Sequence, residues 1–194
     1  ADLDRAVPII TRGIIANTGQ TCTAGSRLIV QKGIYPELMK RLAKQFSDIK
    51  VGTPEMNLDC GPVVNLAQQE RVRHYLSEAK KSGIPVLAQG TLSAGLPAEG
   101  YYVTPTLLGD VPPDHCVAQD EIFGPVLAAM SFDTEEDGIR LANSTDYGLM
   151  AAVWTENGGR QQRVSKAIKA GQVYINGFGA GGGVERSEER RVGK

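Results

Sequence analysis

The run Asn17-Thr18-Gly19-Gln20-Thr21-Cys22-Thr23-Ala24-Gly25-Ser26-Arg27 sets a cysteine in a short polar turn. Apolar segments flank it: Ile9 to Ala16 leads in, and Leu28, Ile29 and Val30 lead out. A free cysteine commonly packs as a small hydrophobe, but the neighbours of Cys22 are turn formers rather than core formers. A sulfur in such a turn can be reached by a small molecule, and Thr21, Thr23 and Ala24 leave room beside it. The chemistry this permits is attack by a thiolate on an electrophilic carbon. Further along, Gln119-Asp120-Glu121-Ile122-Phe123-Gly124-Pro125-Val126 puts a carboxylate beside an aromatic ring at a Gly-Pro turn. An ionised carboxylate is an acceptor-only group that can take two hydroxyl donors, and an aromatic ring supplies a flat apolar wall.

The first run resembles the nucleophile motif Asn-x-Gly-Gln-x-Cys-x-Ala of the aldehyde dehydrogenase superfamily, and the second resembles its Glu-x-Phe-Gly-Pro segment. Shorter agreements lie at Gly61-Pro62, Pro105-Thr106, Asn143-Ser144 followed by Tyr147-Gly148-Leu149, and Val173-Tyr174-Ile175-Asn176. The resemblance runs from about Leu3 to Glu185 and implies the family's catalytic (C-terminal) domain over 1–185. It implies Cys22 as catalytic nucleophile and Glu121 as acceptor for the nicotinamide ribose hydroxyls. It places Phe123 beside the nicotinamide, Gln68 near the cofactor ribose and Phe178 beside the aldehyde tunnel. Arg71 reads as part of an exposed helix face. The implied reaction is NAD- or NADP-dependent oxidation of an aldehyde to a carboxylic acid, through a cysteine thiohemiacetal and thioester.

Two other readings stand beside it. One is a CoA-acylating aldehyde dehydrogenase or related reductase on the same fold; the other is a non-catalytic isolated domain. The family's dinucleotide-binding domain, general-base glutamate and oxyanion-hole asparagine have no counterpart in this sequence. The chain therefore reads as part of a longer protein, expected as a homodimer or homotetramer, and as inactive toward NAD(P) by itself. After Glu185 the pattern departs from the family, and residues 186–194 read as a charged, non-family tail, disordered or foreign.

Length and composition bound the remaining classes. The chain has 194 residues, 41% of them hydrophobic, with a formal net charge of -1, which suits one domain with a real core. There is no electrostatic case for nucleic acid or an anionic membrane, and no apolar run reaches membrane-spanning length. Cys22, Cys60 and Cys116 are too few and too scattered for a disulfide scaffold or a zinc site. A reducing, cytoplasmic setting with no metal is the expectation. His74 and His115 have no visible nucleophile or metal partner.

The elements that must position these groups follow from periodicity. Ile34, Leu38, Leu42 and Phe46 recur every four residues and predict a helix over 34–48. Leu66, Val72, Tyr75, Leu76 and Ala79 predict another, closed by Gly83. Leu3 to Ile15 reads as a helix, with Pro8 a challenge to its early part. Strands are predicted over 27–31, 85–88, 126–132, 151–154 and 173–176, with helices from Thr134 to about Asn143 and over 158–170. Residues 51–64 and 89–100 read as loops, and 101–108 as extended. Strands alternating with helices predict an α/β domain, a largely parallel sheet flanked by helices. Gly177-Phe178-Gly179-Ala180-Gly181-Gly182 satisfies Gly-x-Gly-x-x-Gly, but no helix pattern follows it, so no phosphate cradle is assigned.

Overall fold

The computed structural model describes residues 1–179; the tail over 186–194 and the end of the glycine-rich loop lie outside the described residues. A four-stranded sheet organises the chain, in the order β1 (Arg27–Gln31), β6 (Val126–Phe132), β5 (Thr106–Leu108), β3 (Val86–Gln89). β1 and β5 run parallel to β6, while β3 pairs antiparallel with β5 at the edge.

β6 shows why the sheet is buried on both faces. Val126 to Met130 are each at most 1% exposed, the continuous apolar run expected of a covered parallel strand. Its side chains alternate between two cores. Leu127 and Ala129 pack with α1 (Leu3–Ile15) and α2 (Tyr35–Asp48), through Val7, Ile14, Leu42 and Phe46. Val126, Ala128 and Met130 pack with α3 (Leu66–Lys81) and the short α4 (Cys116–Gln119), through Val72, Tyr75 and Val117. The result is a helix–sheet–helix sandwich.

Local chemistry explains the helix ends. Asp2 caps α1 by accepting from the Arg5 amide at 3.2 Å. The helix then runs through Pro8, whose ring is exposed; the carbonyl it leaves unpaired can take water on that face. Asn65 caps α3 at the Gln68 amide, and Gly83, at φ +71°, follows its end. Thr134 and Asp137 form a reciprocal capping box on α5 (Glu135–Ala142).

Three findings differ from the sequence expectation. The strands β7 (Met150–Val153) and β8 (Gln172–Ile175) pair in parallel with each other but form a separate sheet. The helix between them, α6 (Gly158–Ala167), stops before the expected end at 170, with Ile168 already extended. Inside the segments read as loops, β2 (Lys50–Val51) and β4 (Thr91–Leu92) pair over two residues each. α5 and α6 are latched by Glu135, which accepts from Arg160 at 3.0 Å and Arg163 at 2.8 Å.

Candidate active site

Cys22 owes its position to a strained turn. α1 ends at Ile15, and three consecutive residues then adopt left-handed backbone: Asn17 (φ 50°), Thr18 (φ 55°) and Gly19 (φ 72°). Such a conformation is unfavourable for a β-branched residue, by roughly 1–3 kcal/mol, so its surroundings must impose it. The Thr18 hydroxyl donates to the Gly61 carbonyl at 3.1 Å. Asn17 Nδ2 donates to the Gln20 carbonyl at 2.9 Å and Gln20 Nε2 to the Asn17 carbonyl at 3.1 Å. Gln20 Oε1 accepts from the Val64 amide at 2.8 Å. Gly19 meets the second motif directly: a Cβ there would fall 2.3 Å from the carbonyl carbon of Gly124.

Beyond this turn Cys22 is exposed. Neither its sulfur nor its backbone N–H has a hydrogen-bond partner among the described residues. Thr21 and Thr23 brace the turn through a hydroxyl contact of 2.9 Å, and the Gly25 amide donates to the Gly13 carbonyl at 3.0 Å. Arg27 opens β1 and donates to the Leu141 carbonyl at 2.9 Å and the Ser144 hydroxyl at 3.1 Å. Burial pushes its pKa down.

The facing loop carries the second motif. Phe123 is left-handed at φ 59° and 37% exposed. The Glu121 side chain is exposed and its carboxylate makes no ion pair or hydrogen bond among the described residues. Ile122, 2% exposed, anchors the loop in the core between them. A cleft of about 480 Å³ brings the predicted residues together: Cys22, Glu121, Phe123 and Phe178 all line it. The Phe178 ring lies close over Gly13 and Gly25, where a Cβ would come within 2.9 Å and 3.2 Å of it.

Gln68 stands apart. It is absent from the cleft lining, and its Nε2 donates to the carbonyls of Ile122 at 3.0 Å and Phe123 at 2.8 Å. Arg71 is more than the exposed helix face expected of it, since it donates to the carbonyls of Glu121 and Ile122. Sequence reasoning missed this pair of clamps, along with the Thr18 hydroxyl and the Gly19–Gly124 contact. The one available signal was the i, i+3 spacing of Gln68 and Arg71.

The other thiols differ from Cys22. Cys60 is buried, donates to the Ile15 carbonyl at 3.6 Å, and is pushed up to about 12, first by burial and then by Asp59. Burial and then Asp120 raise Cys116. His115 Nδ1 accepts from the Val117 amide at 3.3 Å. The proton therefore sits on Nε2, which donates to Ser82 at 3.0 Å, so His115 is no base for that hydroxyl. No group of metal-binding side chains occurs among the described residues, and no described helix is long and apolar enough to cross a membrane.

By geometry this is an α/β domain that presents to one cleft a thiol and a carboxylate with no partner among the described residues. The chain matches the aldehyde dehydrogenase family over residues 1–187 and belongs to that family. It is 43% identical to an aldehyde dehydrogenase of Emericella nidulans over 92% of its length, covering 35% of that protein. It is 38% identical to a betaine aldehyde dehydrogenase of Rhizobium leguminosarum bv. trifolii, covering 92% of this chain and 37% of the other. Among solved structures it resembles the NAD+ complex of an aldehyde dehydrogenase from Bacillus cereus, with a TM-score of 0.86 at 39% identity. That likeness covers 93% of this chain and 36% of that one. The chain thus spans little more than a third of the length of these relatives.

Proposed function

We propose that this chain supplies the nucleophile and the nicotinamide end of the cofactor site in an NAD(P)-dependent aldehyde dehydrogenase. One observation carries the reading: Cys22 and Glu121, each exposed and without a side-chain partner among the described residues, line the same cleft. The donor set fits a nicotinamide nucleotide. The Glu121 carboxylate can accept from both ribose hydroxyls, and the exposed Phe123 ring gives a flat wall beside them. When bound, that group accepts hydride.

The chain's own residues do the rest. The Cys22 thiolate adds to the aldehyde carbon, giving a thiohemiacetal whose oxygen carries the negative charge. The unengaged Cys22 backbone N–H is a donor for that oxyanion, and one such donor contributes about 2.7–4 kcal/mol. After the carbon loses its hydride, Cys22 holds the acyl group as a thioester. Water then adds to the thioester carbon, and the Cys22 sulfur departs as the carboxylic acid forms. The Phe178 ring closes one side of the cleft near the Cys22 turn. A reducing compartment suits a thiol that must remain free.

The test uses the intact protein that contains this chain, with an aldehyde panel, NAD and NADP. Cofactor-dependent acid formation that falls to background in Cys22→Ala is expected. Turnover that survives in Cys22→Ala refutes the assignment. A product that is acyl-CoA rather than acid moves the protein to the acylating branch of the family.

A further inference from the structure

We propose that Gln68 and Arg71 of α3 are positioning residues. They hold the backbone of the Glu121–Phe123 loop so that the Glu121 carboxylate stays free and aimed for its ligand. The proposal rests on the reading of Glu121 as the ribose acceptor, and it gives Gln68 and Arg71 a part that needs no contact with cofactor.

Three successive carbonyls of the loop receive side-chain N–H donors from one face of one helix. Arg71 Nη2 donates to Glu121 at 2.5 Å and Arg71 Nε to Ile122 at 3.3 Å. Gln68 Nε2 donates to Ile122 at 3.0 Å and to Phe123 at 2.8 Å. Positions i and i+3 of a helix stand on one side of it, so α3 presents both donors to the loop together. The same helix reaches the next residue back, where the Tyr75 hydroxyl donates to Asp120 Oδ2 at 3.0 Å. Arg71 is itself steadied over the Tyr75 ring, 5.1 Å from its centroid. Val72, next to Arg71, packs against Gly124, where a Cβ would meet it at 2.4 Å.

The loop has reason to need this. It has no regular backbone pairing of its own, and Phe123 sits in left-handed backbone that a bulky residue avoids. Carbonyls that accept from a guanidinium gain stronger bonds than from a neutral donor. The charge relation is as telling as the bonds. The guanidinium sits on the carbonyl of Glu121 yet forms no ion pair with its carboxylate among the described residues. A free arginine beside a glutamate would ordinarily capture it. Here the Nε–H and one Nη2–H point to the Ile122 and Glu121 carbonyls, which orients the guanidinium along the loop backbone and leaves the carboxylate to an external donor.

Two measurements test this. In the 194-residue chain, amide hydrogen exchange over 120–125 is compared for parent, Arg71→Met, Arg71→Lys and Gln68→Leu. Arg71→Met and Gln68→Leu are expected to speed exchange there by about tenfold or more. Arg71→Lys, able to reach one carbonyl, should fall between. Exchange in α2 should stay as in the parent, which shows that the fold is intact. Unchanged exchange over 120–125 in both variants overturns the proposal.

In the intact protein, Arg71→Met is expected to raise the dissociation constant for NAD(P) by about tenfold and to leave kcat at saturating cofactor within about threefold. In a Glu121→Gln background the same substitution should add less than about twofold, because the two act as one unit. Full additivity would mean that Arg71 meets the cofactor itself, and the positioning role falls. If Glu121→Gln alone leaves cofactor binding unchanged, the ribose reading fails and takes the functional half of the proposal with it, while the exchange result still reports whether the clamp exists.

Discussion

Replacing Gly19 by alanine asks the most of the Cys22 turn. Two costs add. At φ +72° an L-residue is disfavoured by about 1–2 kcal/mol. The new Cβ would also stand 2.3 Å from both the carbonyl carbon and oxygen of Gly124, and 2.7 Å from the nitrogen of Pro125. Those are backbone atoms, so no rotamer change relieves the clash, and the two loops must separate. Overpacking that moves backbone costs roughly 1–3 kcal/mol. The sum is about 2–5 kcal/mol, a large part of the ~5–15 kcal/mol a domain possesses. Gly33→Ala is the control, because a Cβ there meets nothing within 4 Å, and it should be neutral or stabilising by about 0.4–1 kcal/mol. Urea unfolding read by the single tryptophan, with Cys22 labelling kinetics under native conditions, measures both consequences. Gly19→Ala should lower the midpoint at unchanged m-value and alter the labelling rate. If it unfolds within about 0.5 kcal/mol of the parent and labels at the parent's rate, the contact between the two motif loops does not hold the turn, and the reasoning is refuted.

Limiting electrophile followed by peptide mapping should modify Cys22 first. Cys60, buried and pushed up to about 12, should react only on unfolding, and half-buried Cys116, also raised, should react after Cys22; labelling of either ahead of Cys22 in folded protein would contradict the assignment. The Glu135 latch should show in acid. Hydrogen bonds from Arg163 and Arg160 lower its pKa from 4.5 to about 2, so its contribution is full above about 4.5 and fades as pH falls toward 2. Glu135→Gln should therefore flatten that limb of the stability–pH curve, and a curve identical to the parent's would show that the latch contributes nothing.

Much of this was legible in the sequence where one local rule decides the outcome. The four-residue recurrence of Leu38, Leu42 and Phe46 marks α2, and all three are at most 4% exposed. Ile34, the first of that series, sits at the cap and is 37% exposed, because the helix begins one residue after it. Val126 to Phe132 reads as a strand and is one. Cys22, Glu121, Phe123 and Phe178, singled out by the family resemblance, line one cleft. What escaped was long-range. Gln68 and Arg71 look like polar residues on a helix surface until the fold brings a loop fifty positions away against them. The left-handed Thr18 was invisible because β-branched residues avoid that conformation locally, and only the Gly61 carbonyl and the crowding at Gly124 make sense of it. The separate β7–β8 sheet could not be read from strand count, since periodicity says which segments are strands and nothing about which edges meet.

Those edges have a consequence for the protein as a material. Among the described residues β1 bonds only to β6, and β7 only to β8, while residues of both strands border the cleft. Each keeps one row of peptide groups with no strand beside it. An open edge of this kind templates pairing with another molecule. β1 is headed by the charge of Arg27, but β7, Met-Ala-Ala-Val, carries no charge and no proline to discourage contact. Association through this edge should rise with concentration and be blunted by a lysine placed on β7. The opening that bares Cys22 to small molecules is thus bordered by a strand edge with which a second copy can pair.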